Sequence, residues 1–295
     1  MPNSKLNECI ASFHVYISVE KGLAKNTVES YCRDLESFAL YLEQSSVEDF
    51  KTVEESHIFD YLLALKDRGL KETSVARAFF ALKVFFRFLK KEDLVEENAC
   101  LYLQGPKLSK ILPSYLSQEE IAMLLDNVDT NSPFAARDKA ILELLYASGL
   151  RVSELCSLKI SDLDSGFLKV FGKGSKERIV PLGRAASKAI DHYLLGERAR
   201  YKEEKLLFLS KKGKALHRSS VWKMLQERAR ENGLKKKIYP HLLRHSFASH
   251  LLQNGADLRV IQDLLGHSDI KSTERYTHAN QEQLIAKFKS CHPRN

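Results

Sequence analysis

No stretch of this 295-residue sequence approaches the roughly 18 consecutive apolar residues that a membrane helix needs, and the longest candidates are broken by charges such as Lys83, Arg87 and Glu143. The sequence predicts no membrane span. A secretory leader is missing too: Glu8 and His14 stand where an unbroken apolar core would be required, and no basic segment precedes a small-residue cleavage site. A cytoplasmic location is expected. Cysteine is scarce and scattered, with Cys9, Cys32, Cys100, Cys156 and Cys291 odd in number and never in a C-x-x-C pair, which argues against a disulfide framework and a zinc cage. Internal repeats and low-complexity tracts are absent. So is a P-loop: five residues separate Gly166 from Gly172 and Gly174 follows Lys173, whereas the nucleotide-binding pattern has four residues between its glycines and Ser or Thr after its lysine. ATP hydrolysis is not expected.

What is present suits two globular domains, taking roughly 100 to 200 residues for each. The net charge of +8 is unevenly spread: residues 1 to 105 hold 13 Lys and Arg against 17 Asp and Glu, and the remainder hold 33 against 21. The second half carries the excess that a polyanion would meet. Where the balance changes sign, residues 104 to 113 break helical periodicity with Gly105, Pro106 and Pro113. The reading is a helical domain over 1–105, a linker over 106–113 and a second domain over 114–295.

Residues 4 to about 91 read as four helices. In the second, Asn26-Thr27 is the expected cap, and Val28, Tyr31, Leu35, Phe38 and Leu42 form a stripe at helical spacing. The fourth, Ser74 to Lys91, turns Phe79, Leu82, Phe86 and Leu89 inward and leaves Arg77, Lys83, Arg87, Lys90 and Lys91 for other faces. A basic helix in an acidic half is a candidate DNA contact, with an ordinary solvated face as the alternative. Beyond the linker, Ser117 with Glu120 predicts a capping box on a helix running to Val128, and Asp138 to Ala147 a helix stopped by Gly149. Strands are expected at 167–171 and 178–182 about a glycine-rich turn, then helices near 184–200, 218–232, 241–253, 257–265 and 280–290. The fold class is mainly α, with a small sheet in a mixed α+β second domain.

His241, Arg244 and His245 share one helical face while Leu243, Phe247 and Leu251 take another, so a buried helix presents a cationic cluster. Zinc is not expected, because Leu242 stands where a metalloprotease helix needs Glu after its first His. Gly266 ends an amphipathic helix carrying Leu258, Ile261 and Leu265, so His267 emerges at its C-terminus; Tyr276 follows nine residues later. Arg151 directly follows the Gly149 stop, and Lys173 sits at the hairpin tip. Each of these alone is ordinary.

Taken in order, Arg151, Lys173, His241-x-x-Arg244, His267 and Tyr276 resemble the active-site set of the tyrosine recombinase (phage integrase) family. The surrounding text agrees, in Ala147-Ser148-Gly149-Leu150-Arg151-Val152-Ser153-Glu154-Leu155, Leu243-Arg244-His245-Ser246-Phe247-Ala248, Leu264-Leu265-Gly266-His267-Ser268 and Arg275-Tyr276-Thr277-His278. The N-terminal half is similar to the family's helical core-binding domain, in Lys25-Asn26-Thr27 and Tyr31-Cys32-Arg33-Asp34-Leu35. Within the family the chain is most similar to the bacterial Xer type, its XerD branch more than XerC, through Gly255-Ala256-Asp257-Leu258-Arg259-Val260 and His292-Pro293-Arg294.

The resemblance implies an enzyme that cuts and rejoins DNA through a 3′-phosphotyrosine, needing no metal, ATP or other cofactor. Without a metal, fixed cations must stabilise the charge that builds on the phosphate, and the forked guanidinium groups of Arg151 and Arg244 suit that task. Tyr276 would be the nucleophile, with His241 helping to take its proton and His267 donating to the phosphate. The resemblance also implies that Lys173 protonates the departing 5′ oxygen. Partners so implied are a double-stranded recombination site, a tetrameric synapse shared with a XerC-like recombinase, and an FtsK-type translocase, in chromosome dimer resolution at dif-like sites. The last helix, Gln281 to Lys289, is expected to dock on a neighbouring subunit. A mobile-element integrase and a catalytically silent DNA-binding regulator are the alternatives.

Overall fold

The computed structural model of the protein describes residues 4–105, 115–128, 134–164, 166–171, 177–201, 204–266, 287–288 and 290–294. The chain divides into two compact units, Met1–Leu112 and Pro113–Asn295. No helix among the described residues is long and apolar enough to cross a membrane.

The first unit packs α1 (Ser4–Val15, continued by a π turn over Tyr16–Glu20), α2 (Lys25–Gln44), α3 (Glu55–Asp67) and α4 (Glu72–Lys91). Its core is aromatic. Phe85 of α4 meets Phe13 edge-on at 5.2 Å between ring centroids and Phe50 at 4.9 Å, while Phe38 packs on Tyr61 at 5.0 Å. Each such ring, fully buried, contributes about 1.5–3 kcal/mol against exposure, which is what holds α4 at the centre of the bundle. The stripe expected on α2 is buried at Val28, Leu35, Phe38 and Leu42. Its cap differs from expectation: the helix is entered from extended Ala24 with no side-chain cap, so Asn26 and Thr27 already lie in the first turn. An oxygen on those residues stands past the position that can reach the orphan N–H groups.

The second unit is built on α6 (Ala135–Ser148), whose side chains are buried almost all round, with α5 (Gln118–Asp126), α8 (Arg184–Leu195) and α10 (Pro240–Gln253) packed against it. The capping box on α5 is present: the Glu120 N–H donates to Ser117 Oγ at 3.2 Å, and the Ser117 N–H donates to Glu120 Oε2 at 2.8 Å. Gly149 closes α6 in the left-handed region at φ 58° and leads into α7 (Val152–Ser157). A three-stranded antiparallel sheet follows in the order β1 (Leu163–Asp164), β2 (Phe167–Phe171), β3 (Glu177–Pro181). Its register pairs Leu168 with Val180 and Val170 with Arg178. The two-residue β1 was too short for any periodicity to announce. Helices α9 (Arg218–Glu231) and α11 (Leu258–Leu265) complete the unit.

Most of the expected helix at 280–290, like the 106–113 linker, lies outside the described residues. The described residues at and just beyond its end pack within their own unit. Phe288, Cys291 and His292 are buried in its core. The His292 ring stacks on Phe288 at 4.9 Å, Asn254 donates to the Cys291 carbonyl at 2.7 Å, and Arg294 forks onto Asp126 and the buried Glu143.

Candidate active site

Arg151 is the N-cap of α7, so the short helix aims its own orphan amides back toward it. The Glu154 carboxylate, at the third helical position, accepts the Arg151 backbone N–H at 2.8 Å on Oε2 and the Arg151 Nη1–H at 2.9 Å on Oε1. A second guanidinium reaches the same carboxylate from β3: Arg178 Nη1 donates to Oε1 at 3.0 Å and Nη2 to Oε2 at 2.8 Å. Its Nε–H goes to the Leu264 carbonyl at 3.0 Å, in the last turn of α11.

Arg244 enters from the second turn of α10 and is 8% exposed. It donates Nη1 to the Gly149 carbonyl at 2.6 Å and Nη2 to the Leu265 carbonyl at 2.7 Å. Both acceptors lie at helix C-termini, where carbonyls have no partner within the helix and the macrodipole favours a cation. Burial, and then the neighbouring Arg151 charge, depress its pKa to about 10. It therefore remains protonated at neutral pH.

Three guanidinium groups thus surround one carboxylate, leaving an excess of two positive charges. Burial alone would push the Glu154 carboxyl up. The Arg178 hydrogen bonds and charge, then the Arg151 N–H and side chain, outweigh it and hold the group below its ordinary value. Glu154 stays ionised, and the remaining positive charge is what an anionic ligand would meet.

Of the residues singled out in the sequence, Arg151 and Arg244 come together, near enough for the Arg151 charge to depress the Arg244 pKa. His241 sits one turn before Arg244 on α10 with its side chain exposed. His245 is half-buried, its ring meeting Tyr115 edge-on at 6.2 Å. Lys173, His267 and Tyr276 lie outside the described residues; the structure describes the strand ends Phe171 and Glu177 that flank the first, and Gly266 directly before the second.

Sequence reading gave no role to Glu154 or Arg178. The signal for Glu154 was its place three residues after Arg151, the spacing of a reciprocal cap. For Arg178 it was an arginine at the core-facing register of a strand, two residues from the buried Val180 and opposite the buried Val170.

On the first unit, the basic residues of α4 have mixed situations. Arg77 is held by Asp34 through two 2.8 Å hydrogen bonds, which raise its pKa, and Lys83 lies 5.8 Å over the Phe79 ring. Lys90 donates to the Glu96 carbonyl at 2.8 Å, while Arg87 is exposed.

Residues 114–283 match the profile of the phage integrase family, and residues 10–93 match that of the phage integrase N-terminal SAM-like domain. The chain is 41% identical over 296 aligned positions to the tyrosine recombinase XerD of Listeria innocua, covering 98% of this chain and all of the relative. It is 43% identical to XerD of Chlamydia trachomatis, covering 97% and 96%. Among solved structures, the XerH site-specific recombinase bound to its difH substrate superposes with a TM-score of 0.72 at 22% identity, covering 96% of this chain and 95% of that one. A lambda integrase tetramer bound to a Holliday junction gives 0.73 at 19%, covering 96% and 78%.

Proposed function

We propose that this chain, which belongs to the phage integrase family of tyrosine recombinases and is XerD-like within it, recombines DNA at a dif-like chromosomal site through a covalent bond to Tyr276, resolving chromosome dimers. The observation that carries this reading is the net-positive cluster of Arg151, Arg178 and Arg244 about Glu154, set beside the end of the helix that runs into His267.

A phosphodiester resists nucleophiles because its oxygens are negative, and attack adds charge to them. Arg151 and Arg244 stabilise that charge in the pentavalent state, Arg244 from a buried position where water screens it poorly. The Tyr276 hydroxyl attacks phosphorus while His241 helps to accept its proton and His267 donates a hydrogen bond to a phosphate oxygen. Lys173 protonates the leaving 5′ oxygen. The 3′-phosphotyrosine keeps the energy of the broken bond, so an incoming 5′ hydroxyl reverses the step and joins new partners without ATP. In this scheme neither a metal nor another cofactor is needed. The first unit clasps the duplex with α4, in part through Lys83, Arg87 and Lys90, with Arg77 held on Asp34, and four protomers, two of them XerC-like, form the synapse under an FtsK-type translocase.

The test is incubation with a nicked duplex carrying a dif-like site, followed by denaturing electrophoresis. The chain should appear covalently linked to DNA, and Tyr276→Phe should bind the duplex yet leave no linked product. Linkage persisting in that variant would overturn the assignment.

A further inference from the structure

We infer that Arg178 is a positioning residue for strand cleavage: it neutralises Glu154 from behind, so that Arg151 surrenders only part of its guanidinium to the carboxylate and keeps the rest for a phosphate oxygen. This rests on the reading above, in which Arg151 contacts the scissile phosphate.

The geometry separates the two arginines by task. The Arg178 side chain is 11% exposed and spends Nε, Nη1 and Nη2 on protein acceptors. It is not placed to meet a ligand. The Arg151 side chain is 36% exposed and gives Glu154 one side-chain hydrogen bond, from Nη1. A paired fork onto a carboxylate is stronger than a single contact, and here Arg178 already holds that paired position. Remove it, and Glu154, with its side chain 5% exposed, becomes a buried anion short of one partner. Arg151 is the nearest cation able to turn its whole fork inward. The phosphate would then lose the group meant for it.

The third hydrogen bond of Arg178 couples this charge balance to a second segment. It caps the Leu264 carbonyl, three residues before His267, and so ties β3, α7 and the end of α11 to one planar group. Gly266 makes room for it. The residue sits at φ 65°, and a Cβ there would come within 3.1 Å of Arg178 Cδ and Nη1. Lysine cannot substitute, since a single ammonium cannot hold two carboxylate oxygens and a carbonyl at fixed angles.

The experiment uses the full chain and the nicked dif-like duplex, measuring single-turnover covalent-complex formation alongside duplex affinity and thermal midpoint. Arg178→Met and Arg178→Lys should each slow covalent-complex formation roughly 10–100-fold while the Kd for the duplex stays within about 3-fold, because misplacement of a reacting contact by about 1 Å has that scale of effect. The double variant Glu154→Gln/Arg178→Met should react at least about 5-fold faster than Arg178→Met alone, because no carboxylate remains to recapture Arg151. The thermal midpoint separates a role limited to folding, in which the rate would recover only as far as the midpoint does. If Arg178→Met does not fold, Arg178→Lys with and without Glu154→Gln makes the same comparison. An active wild type with Arg178 variants of equal rate, or double variants no faster than the singles, would overturn the inference alone. A wild type that never links to the duplex would overturn the functional reading with it.

Discussion

Arg244 reaches across 95 positions of sequence to donate its Nη1 hydrogen to the Gly149 carbonyl at 2.6 Å. The residue proposed to meet the phosphate therefore also fastens the turn from which Arg151 springs. Loss of a charged hydrogen bond that leaves a buried carbonyl unpaired costs about 1.5–3 kcal/mol, so Arg244→Ala should lower the urea midpoint as well as abolish covalent linkage. Arg244→Lys keeps the charge but not the fork, and its cleavage should fall at least roughly 100-fold. Near-normal cleavage by the lysine variant would contradict the paired contacts.

Gly149 itself has no room for a side chain. Its φ is 58°, and a Cβ would stand 2.6 Å from Phe247 Cδ1 and 2.9 Å from Leu265 Cδ2. Gly149→Ala should destabilise the second unit by about 2–4 kcal/mol, from strain in the left-handed region plus overpacking, measured by denaturant unfolding. A change under about 0.5 kcal/mol would mean the turn is not built as described.

On α4 the basic residues should separate by their present engagements. Arg87→Ala should reduce the slope of log affinity against log salt by about 1, as for a lost phosphate contact. Arg77→Ala should leave that slope nearly unchanged and lower stability instead, because Asp34 occupies its fork. Equal slopes for both variants with wild-type salt dependence would remove α4 from the DNA interface.

Acid should loosen the second unit before its carboxylates titrate. Burial depresses the His292 pKa to about 4, and burial also lowers that of His250, whose Nδ1 lies 2.8 Å from the Tyr146 hydroxyl. A histidine with a depressed folded pKa takes up its proton more readily when unfolded, so stability falls as pH drops below about 6.5 toward the folded value. Between pH 7 and 5 the loss from His292 should be about 2 kcal/mol, and His292→Phe should flatten that part of the profile. A wild-type urea midpoint constant over this range would refute the buried neutral imidazole.

The features legible in the sequence were those whose cause is local. The α2 stripe, the Ser117–Glu120 box and the Gly149 stop each follow from residues within a turn or two of one another, and each is found where expected. The α2 cap was misplaced because Asn26 and Thr27 are good capping types in any context, and only the backbone shows that the helix starts before them. Glu154 and Arg178 went unassigned because their meaning lies in contacts between segments: Arg178 is 24 positions from Glu154 and 86 from Leu264. The partners of Arg294, 151 and 168 positions away, were equally out of reach of periodicity.

The same convergence fixes an order of assembly. Synthesis delivers the N-terminal unit first, and its four helices close on one another without anything that follows. The arginine cluster has no such independence: while translation has reached only β3, Glu154 and Arg178 can meet, yet Arg244 and the α11 carbonyls that complete the cluster do not exist. A nascent or clipped chain lacking α11 can therefore fold its first unit while its arginine cluster stays incomplete.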